Sequence, residues 1–323
     1  MSRQTVEPTA AFAHAFAGIV GNVEKVIQGK TEVIQLALLC LLSEGHLLIE
    51  DVPGVGKTSM AKALAASIQC TFGRVQFTPD LLPSDVVGVS VYNRSGGDFE
   101  FRPGPVFNNM LLGDEINRAS PKTQSALLES MGERQVTVDG TTYPLDSPFM
   151  VIATQNPIEH EGTYPLPESQ LDRFFMRVSV GYPSPAAELE MLEAHGDVDA
   201  LEGIGPVAGL ADVRSMIAAT RAVHLAPSLK GYLVELAAAT RHHPRIALGM
   251  SPRAVLNLQR AARSRAAAAG RSYVVPDDLK ALAENVLAHR LVVTPEAQLA
   301  GMRAGDLLRE VLQSVPVPSG RQK

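Results

Sequence analysis

Basic charge is scarce in this chain: 29 lysines and arginines face 34 aspartates and glutamates across 323 residues, a formal net charge of −5. A global basic face for nucleic acid is thereby excluded, and no local run of basic residues interleaved with aromatics stands in for it. Cysteine is nearly absent. Cys40 and Cys70 lie in apolar, helical-looking surroundings without metal-ligand spacing, which fits buried thiols in a reducing compartment rather than a disulfide framework. Long apolar runs are missing too. Residues 36–42 are far too few to span a bilayer, and the partly apolar residues 11–26 are interrupted by Glu24 and Lys25 and have no basic lead-in with a cleavage site. The expectation is a soluble, cytoplasmic protein with no transmembrane segment and no nucleic-acid partner. No Gly-x-Ser-x-Gly elbow anchors a hydrolase triad, and His242-His243, with His224 upstream, lacks the carboxylate spacing of a metal site. Neither an internal repeat nor a low-complexity tract is present.

What is there begins with Asp51-Val52-Pro53-Gly54-Val55-Gly56-Lys57-Thr58. It follows the apolar, strand-like run His46-Leu47-Leu48-Ile49-Glu50 and opens a helix-like run over residues 59–67, the layout of a phosphate-binding loop. Glycines let successive N–H groups curl toward an anion, and the following helix adds the positive end of its dipole. The lysine reaches the outer phosphates, and the threonine hydroxyl can ligate Mg²⁺. Residues 51–58 are therefore expected to bind a nucleoside triphosphate. Asp51 stands where the usual pattern has its first glycine.

The chain is long enough for two domains. Residues 20–42 read as helix broken near Gly29, and residues 74–77 as a short strand followed by a Pro- and Asp-marked loop over 78–84. Two hairpins are expected. One alternates Val89, Val91, Phe99 and Phe101 around residues 93–97; the other alternates Val136, Val138 and Thr142 around Asp139-Gly140, a dipeptide suited to a type I′ turn. Between them lie a strand at 110–112 and a helix at 121–131. The apolar run 149–153 suits a buried parallel strand, and residues 174–180 supply a fifth. Strands alternating with helices predict a doubly wound α/β fold. Tyr182-Pro183-Ser184-Pro185 marks the expected boundary, so that residues 1–182 form the α/β domain and 183–323 an all-helical domain. Within the latter, residues 196–209 are a Gly/Asp-rich interruption, Gly270 closes an alanine-rich helix, Pro276-Asp277-Asp278 opens another, and residues 318–323 form a frayed tail.

Leu111-Leu112-Gly113-Asp114-Glu115 puts two carboxylates at the carboxyl end of an apolar strand, the edge where open α/β sheets bind ligands. Asp114 can hold Mg²⁺ and Glu115 can orient and partly deprotonate a water attacking the γ-phosphate. Asn156 follows the next strand and can help place that water, although Asn-Pro alone is a turn signal. Arg173 lies at a helix end before the fifth strand, where a surface ion pair with Asp172 or Glu168 is the competing role. Ser251-Pro252 reads as a helix N-cap and first residue, which puts Arg253 where the dipole disfavours a cation unless an anion lies opposite.

The ordering of these motifs resembles the MoxR family of AAA+ ATPases. The matching residues are the phosphate loop, Gln76-Phe77-Thr78-Pro79-Asp80-Leu81-Leu82-Pro83-Ser84-Asp85, Phe99-Glu100-Phe101-Arg102-Pro103-Gly104-Pro105, Asp114-Glu115-Ile116-Asn117-Arg118-Ala119, Ala153-Thr154-Gln155-Asn156-Pro157, Leu171-Asp172-Arg173-Phe174 and Ser251-Pro252-Arg253-Ala254. The resemblance implies an AAA+ core with two hairpin insertions and a helical lid. It also implies Mg²⁺-dependent ATP hydrolysis in a ring, a hexamer by expectation, coupled to chaperone-like remodelling, maturation or metal insertion of a client. A partner with a von Willebrand factor A-type domain is expected. Lys57, Glu115, Asn156, Arg173 and Arg253 become the catalytic set, with Asn156 as sensor 1, Arg173 as an arginine finger acting on a neighbouring subunit and Arg253 as sensor 2; Thr58 and Asp114 become the metal set. The Gly-Gln that the family carries near the adenine is Gly29-Lys30 here, and no base contact is assigned to it. A chelatase motor subunit, a nucleotide-gated scaffold with little turnover and, more weakly, a DNA-translocating motor are the other readings.

Overall fold

The computed structural model describes residues 8–157, 162–183 and 203–318, together with Pro185, Leu189 and Leu201. Residues 196–200 and 202 of the expected interruption at 196–209, and residues 319–323 of the expected tail, lie outside the described residues. Helix α1 (Pro8–Glu24) and helix α2 (Thr31–Leu42) are separated by a turn that contains Gly29, at φ 71°, near the break that the sequence suggested. Strand β1 (Leu47–Glu50), helix α3 (Lys57–Ser67) and strand β2 (Phe72–Gln76) follow. A short helix α4 (Pro83–Val87), not foreseen, occupies the end of the expected loop, with Pro83 in its first turn and the Asp85 carboxylate accepting from the Leu82 N–H.

Strands β3 (Gly88–Asn93) and β4 (Asp98–Pro103) form the first hairpin, strand β5 (Met110–Asp114) leads to helix α5 (Pro121–Glu133), and strands β6 (Gln135–Val138) and β7 (Thr141–Pro144) form the second hairpin. Asp139 and Gly140 have φ of 50° and 78°, the two positive values that a type I′ turn requires. Strand β8 (Met150–Gln155), helix α6 (Glu168–Leu171) and strand β9 (Met176–Val178) complete the series.

The main sheet has the order β2-β5-β8-β1-β9. Parallel registers place Gln76 opposite Asp114, Gly113 opposite Ala153 and Glu50 opposite Gln155, so the polar ends of β2, β5, β8 and β1 share one edge. Residues 110–112 and 150–153 are fully buried, as strands covered on both faces must be. Phe77, Leu111, Leu127, Val151 and Phe174 belong to one apolar core that fixes β5 and β8, and with them the carboxyl-end residues.

By contacts the chain divides into two compact units. One comprises Gly18–Phe174 and Val178–Arg214; the other comprises the described parts of Met1–Ala17, Phe175–Arg177 and Ser215–Lys323. The second unit contains helices Leu210–Ala222 in part, Pro227–Arg241, Pro252–Ala268, Pro276–Leu287, Pro295–Leu299 and Ala304–Ser314. It also contains an antiparallel ribbon of Ile246–Leu248 with Val292–Val293. The expectation of an all-helical second domain therefore needs correction by this ribbon. Its strands, of three and two residues, are too brief for the alternation that signals a strand in sequence. Gly270, at φ 72°, and Asp278, which accepts the Val275 N–H, end and begin helices as their residue types suggest.

Candidate functional site

Gly54 and Gly56 take φ of 85° and 84°, which a side chain would strain, and no heavy atom lies within 4 Å of where a Cβ on Gly54 would sit. That leaves an open cradle beside the loop. Gly56 is the N-cap of α3, so the helix begins at Lys57 with its N–H groups directed at the loop.

A cavity of about 340 Å³ is lined by Pro53, Gly54, Gly56, Lys57, Thr58, Ser59, Asp114, Glu115, Thr154 and Asn156. The structure thus brings together most of the expected site. Lys57 Nζ donates to the Asp51 carbonyl at 2.8 Å. Burial pushes the Lys57 ammonium below its ordinary range, against the pull of the carboxylates of Asp51, Asp114 and Glu115.

The two carboxylates at the end of β5 are each engaged. Asp114 accepts from Thr154 Oγ1 at 2.6 Å and pairs with Arg74 at 2.8 Å. Glu115 sits at φ 57°, a left-handed conformation at the turn out of the strand, and its N–H donates to Thr154 Oγ1 at 2.9 Å. Its carboxylate accepts from Gln76 Nε2 at 2.7 Å and from Arg118 at 2.9 Å. Asn156 is buried at the cavity wall. Arg74, Gln76, Arg118 and Thr154 were not singled out as site residues. Gln76 ends β2 and Thr154 is the penultimate residue of β8, the strands on either side of β5, and only the strand order shows that they border Asp114 and Glu115.

The Asp51 carboxylate accepts from Ser179 Oγ at 2.9 Å and from the N–H groups of Gly181 and Val52 at 2.6 and 2.9 Å. Burial pushes its carboxyl up, but these donors outweigh it and hold the group below the usual carboxylate range. Val52 and Val55 are not among the residues that line the cavity.

Arg173 is exposed, and its guanidinium runs toward the end of α5, 3.8 Å from where a Cβ on Gly132 would lie. It does not line the cavity of its own chain. Arg253 belongs to the other unit, in the first turn of helix Pro252–Ala268, whose N-cap Ser251 accepts the Ala254 N–H as expected. Cys40 is buried, and burial pushes the half-buried Cys70 thiol up to about 12. Among the described residues no group of three His, Cys, Asp or Glu side chains could hold a metal ion, and no helix is long and apolar enough to cross a membrane.

Residues 46–176 match the family model described as "ATPase family associated with various cellular activities (AAA)", and residues 238–311 match "AAA lid domain". Fold, loop and carboxylate pair thus define the AAA class of phosphate-loop protein. The chain is 50% identical to the protein YeaC of Bacillus subtilis over 94% of both chains. It is 43% identical to Chaperone MoxR1 of Mycobacterium tuberculosis, over 97% of this chain and 85% of that one. A crystal structure of a candidate ATPase from Cytophaga hutchinsonii superposes with a TM-score of 0.90 at 38% identity, covering 97% of this chain and 98% of the other. The chain belongs to the MoxR family of AAA+ ATPases.

Proposed function

We propose that this protein hydrolyses ATP to ADP and phosphate and couples the reaction to remodelling of a client protein. The observation that carries the proposal is the gathering of Lys57, Thr58, Asp114, Glu115, Thr154 and Asn156 around one cavity beside an open, glycine-turned loop. The donor set suits a Mg²⁺-nucleotide: an ammonium and helix-start N–H groups for phosphate, and a hydroxyl and a carboxylate, Thr58 and Asp114, that would hold the ion. Mg²⁺, when bound, neutralises charge on the phosphate oxygens. Lys57 binds the outer phosphates. Glu115 orients the attacking water and accepts its proton, Asn156 helps to position that water, and Thr154 fixes the Asp114 carboxylate and the Glu115 backbone. Arg173, exposed and outside its own cavity, is assigned to a neighbouring subunit's site, and Arg253 takes the sensor-2 role by family resemblance.

The same reading has the protein as a cytoplasmic ring, a hexamer, with an α/β domain over residues 1–182 and a helical lid over 183–323, although the compact units interleave along the chain. Its likeness to a protein named as a chaperone supports a chaperone-like output; by family resemblance that output is remodelling, maturation or metal insertion of a client, with a von Willebrand factor A-type protein as partner. A second reading, a nucleotide-gated scaffold with little turnover, is favoured by the two bonds that engage the Glu115 carboxylate. Phosphate release separates the two. The wild type should turn ATP over, and Glu115→Gln should bind it yet hydrolyse it at least ~100-fold more slowly, the lower end for losing a positioned base. Normal turnover by that variant would send the search for the base elsewhere.

A further inference from the structure

Two residues beside the phosphate loop depart from the expected pattern, Asp51 at its first position and Lys30 after Gly29. Both end on the same four residues, 179–182, which leave β9. The Asp51 carboxylate accepts from Ser179 Oγ at 2.9 Å and from the Gly181 N–H at 2.6 Å. Lys30 Nζ donates to the carbonyls of Val180 at 2.6 Å and Tyr182 at 2.7 Å. The anion takes the donors of this strap and the cation takes its acceptors, at alternate residues. Each is a charge-assisted contact, stronger than a neutral one. Gly181, at φ 65°, supplies the backbone turn that lets both sets of groups be reached.

Asp51 also organises the loop itself. Its other carboxylate oxygen accepts the Val52 N–H, and its carbonyl accepts from Lys57 Nζ. One residue therefore joins the strap, the first N–H of the loop and the lysine expected at the phosphates. A carboxylate at the mouth of an anion site opposes phosphate unless its charge is already consumed, and here three donors consume it.

We propose that Lys30 and Asp51 form a matched charged bracket that holds residues 179–182 against the phosphate loop and so pre-organises the loop for nucleotide. Both are positioning residues and neither touches the phosphates. The inference rests on the ATP-binding reading above, and its test keeps the two apart.

The variants are Lys30→Met, Lys30→Arg, Asp51→Asn and the double variant Lys30→Met with Asp51→Asn. The first measurement, without nucleotide, is amide hydrogen exchange at Gly181 and Val52. Exchange should accelerate about tenfold or more in Lys30→Met and Asp51→Asn, on the scale of a lost charged hydrogen bond, and return toward wild type in Lys30→Arg, which keeps the donors. The second measurement is affinity for a fluorescent ATP analogue, together with KM and kcat. Each single variant should bind about tenfold more weakly, with KM rising more than kcat falls. The double variant should bind no more weakly than the worse single, because a strap released on one side gains nothing from the other. Unaltered exchange in both single variants would overturn the bracket. Faster exchange with wild-type affinity would reduce it to a prop for the fold and overturn its link to nucleotide. Wild-type protein that bound no analogue would overturn the ATP reading instead, while the exchange rates still decide the bracket. Should Asp51→Asn fail to fold, Lys30→Met carries the test, since Lys30 lies outside the loop.

Discussion

Glu115 shows how much the site demands of single residues. Its left-handed backbone costs a non-glycine residue about 1–3 kcal/mol, and such strain persists only where the surroundings impose it. Here the Thr154 hydroxyl receives its N–H, and Gln76 and Arg118 hold its carboxylate. The turn swings the side chain off the strand axis and onto the cavity. Lys57 is the second such residue. Lys57→Ala should abolish binding of an ATP analogue while leaving the unfolding midpoint close to wild type, because charge-assisted phosphate contacts are lost and no core residue changes. Near-normal binding would sink the phosphate-loop assignment.

Asp51 gives a test by pH. A carboxyl held below its ordinary value of 3.8 in the folded chain contributes stability that is fully present above that value and is lost as pH falls through the folded one. Wild type should therefore be more stable than Asp51→Asn near neutrality, with the gap closing in acid. Urea midpoints of both proteins from pH 7 down to pH 3 would measure it, and a gap independent of pH would mean that the donors do not favour the charged form.

At the scale of elements, the two hairpins are tied at one end and bare at the other. Phe101 of β4 stacks on Tyr143 of β7 at 4.1 Å, with Phe107 edge-on to Phe101 at 5.6 Å. Further out, Tyr92 and Phe99 face each other across the strands, 53% and 68% exposed. The stack anchors the base, so shortening the tip should not disturb the sheet. Replacing residues 93–98 by a two-residue turn should spare nucleotide binding and weaken engagement of the client by the assembled protein. Client processing at the wild-type rate would make the hairpin an inert surface ribbon.

These hairpins were legible in the sequence because alternation and Asp139-Gly140 are local signals. So was the phosphate loop, whose spacing between strand and helix leaves little freedom. The strand order was not: nothing local says that Gln76 and Thr154 flank the carboxylates of β5, since that adjacency is made by parallel pairing across 39 and 40 residues of chain. Helix α4 was hidden by its own Pro83, which marks a loop in sequence yet suits the first turn of a helix. Asp51 was readable as an oddity and unreadable as a clasp, because its partners lie 128 and 130 residues away.

At the scale of the whole molecule, the proposed ring makes a demand that no single chain can meet. Arg173 is exposed, its guanidinium lies beside Gly132 near the end of α5, and it is not among the residues that line its own chain's cavity, which is compatible with a residue acting on a neighbour. An arginine finger stabilises charge on the transferred phosphoryl group and is worth about 10³–10⁵ in rate in other nucleotidases. Arg173→Ala should bind ATP nearly normally as a separate chain and hydrolyse it poorly when assembled. Mixing it with Lys57→Ala protein should restore part of the activity, because at some interfaces an intact loop from the first variant meets an intact arginine from the second. Damage confined to one protomer's own site cannot produce that recovery. Phosphate release across a series of mixing ratios, under conditions of subunit exchange, measures it. With mixed rings verified, no recovery at any ratio would assign Arg173 to its own chain, where its task would be to hold the turn between α6 and β9.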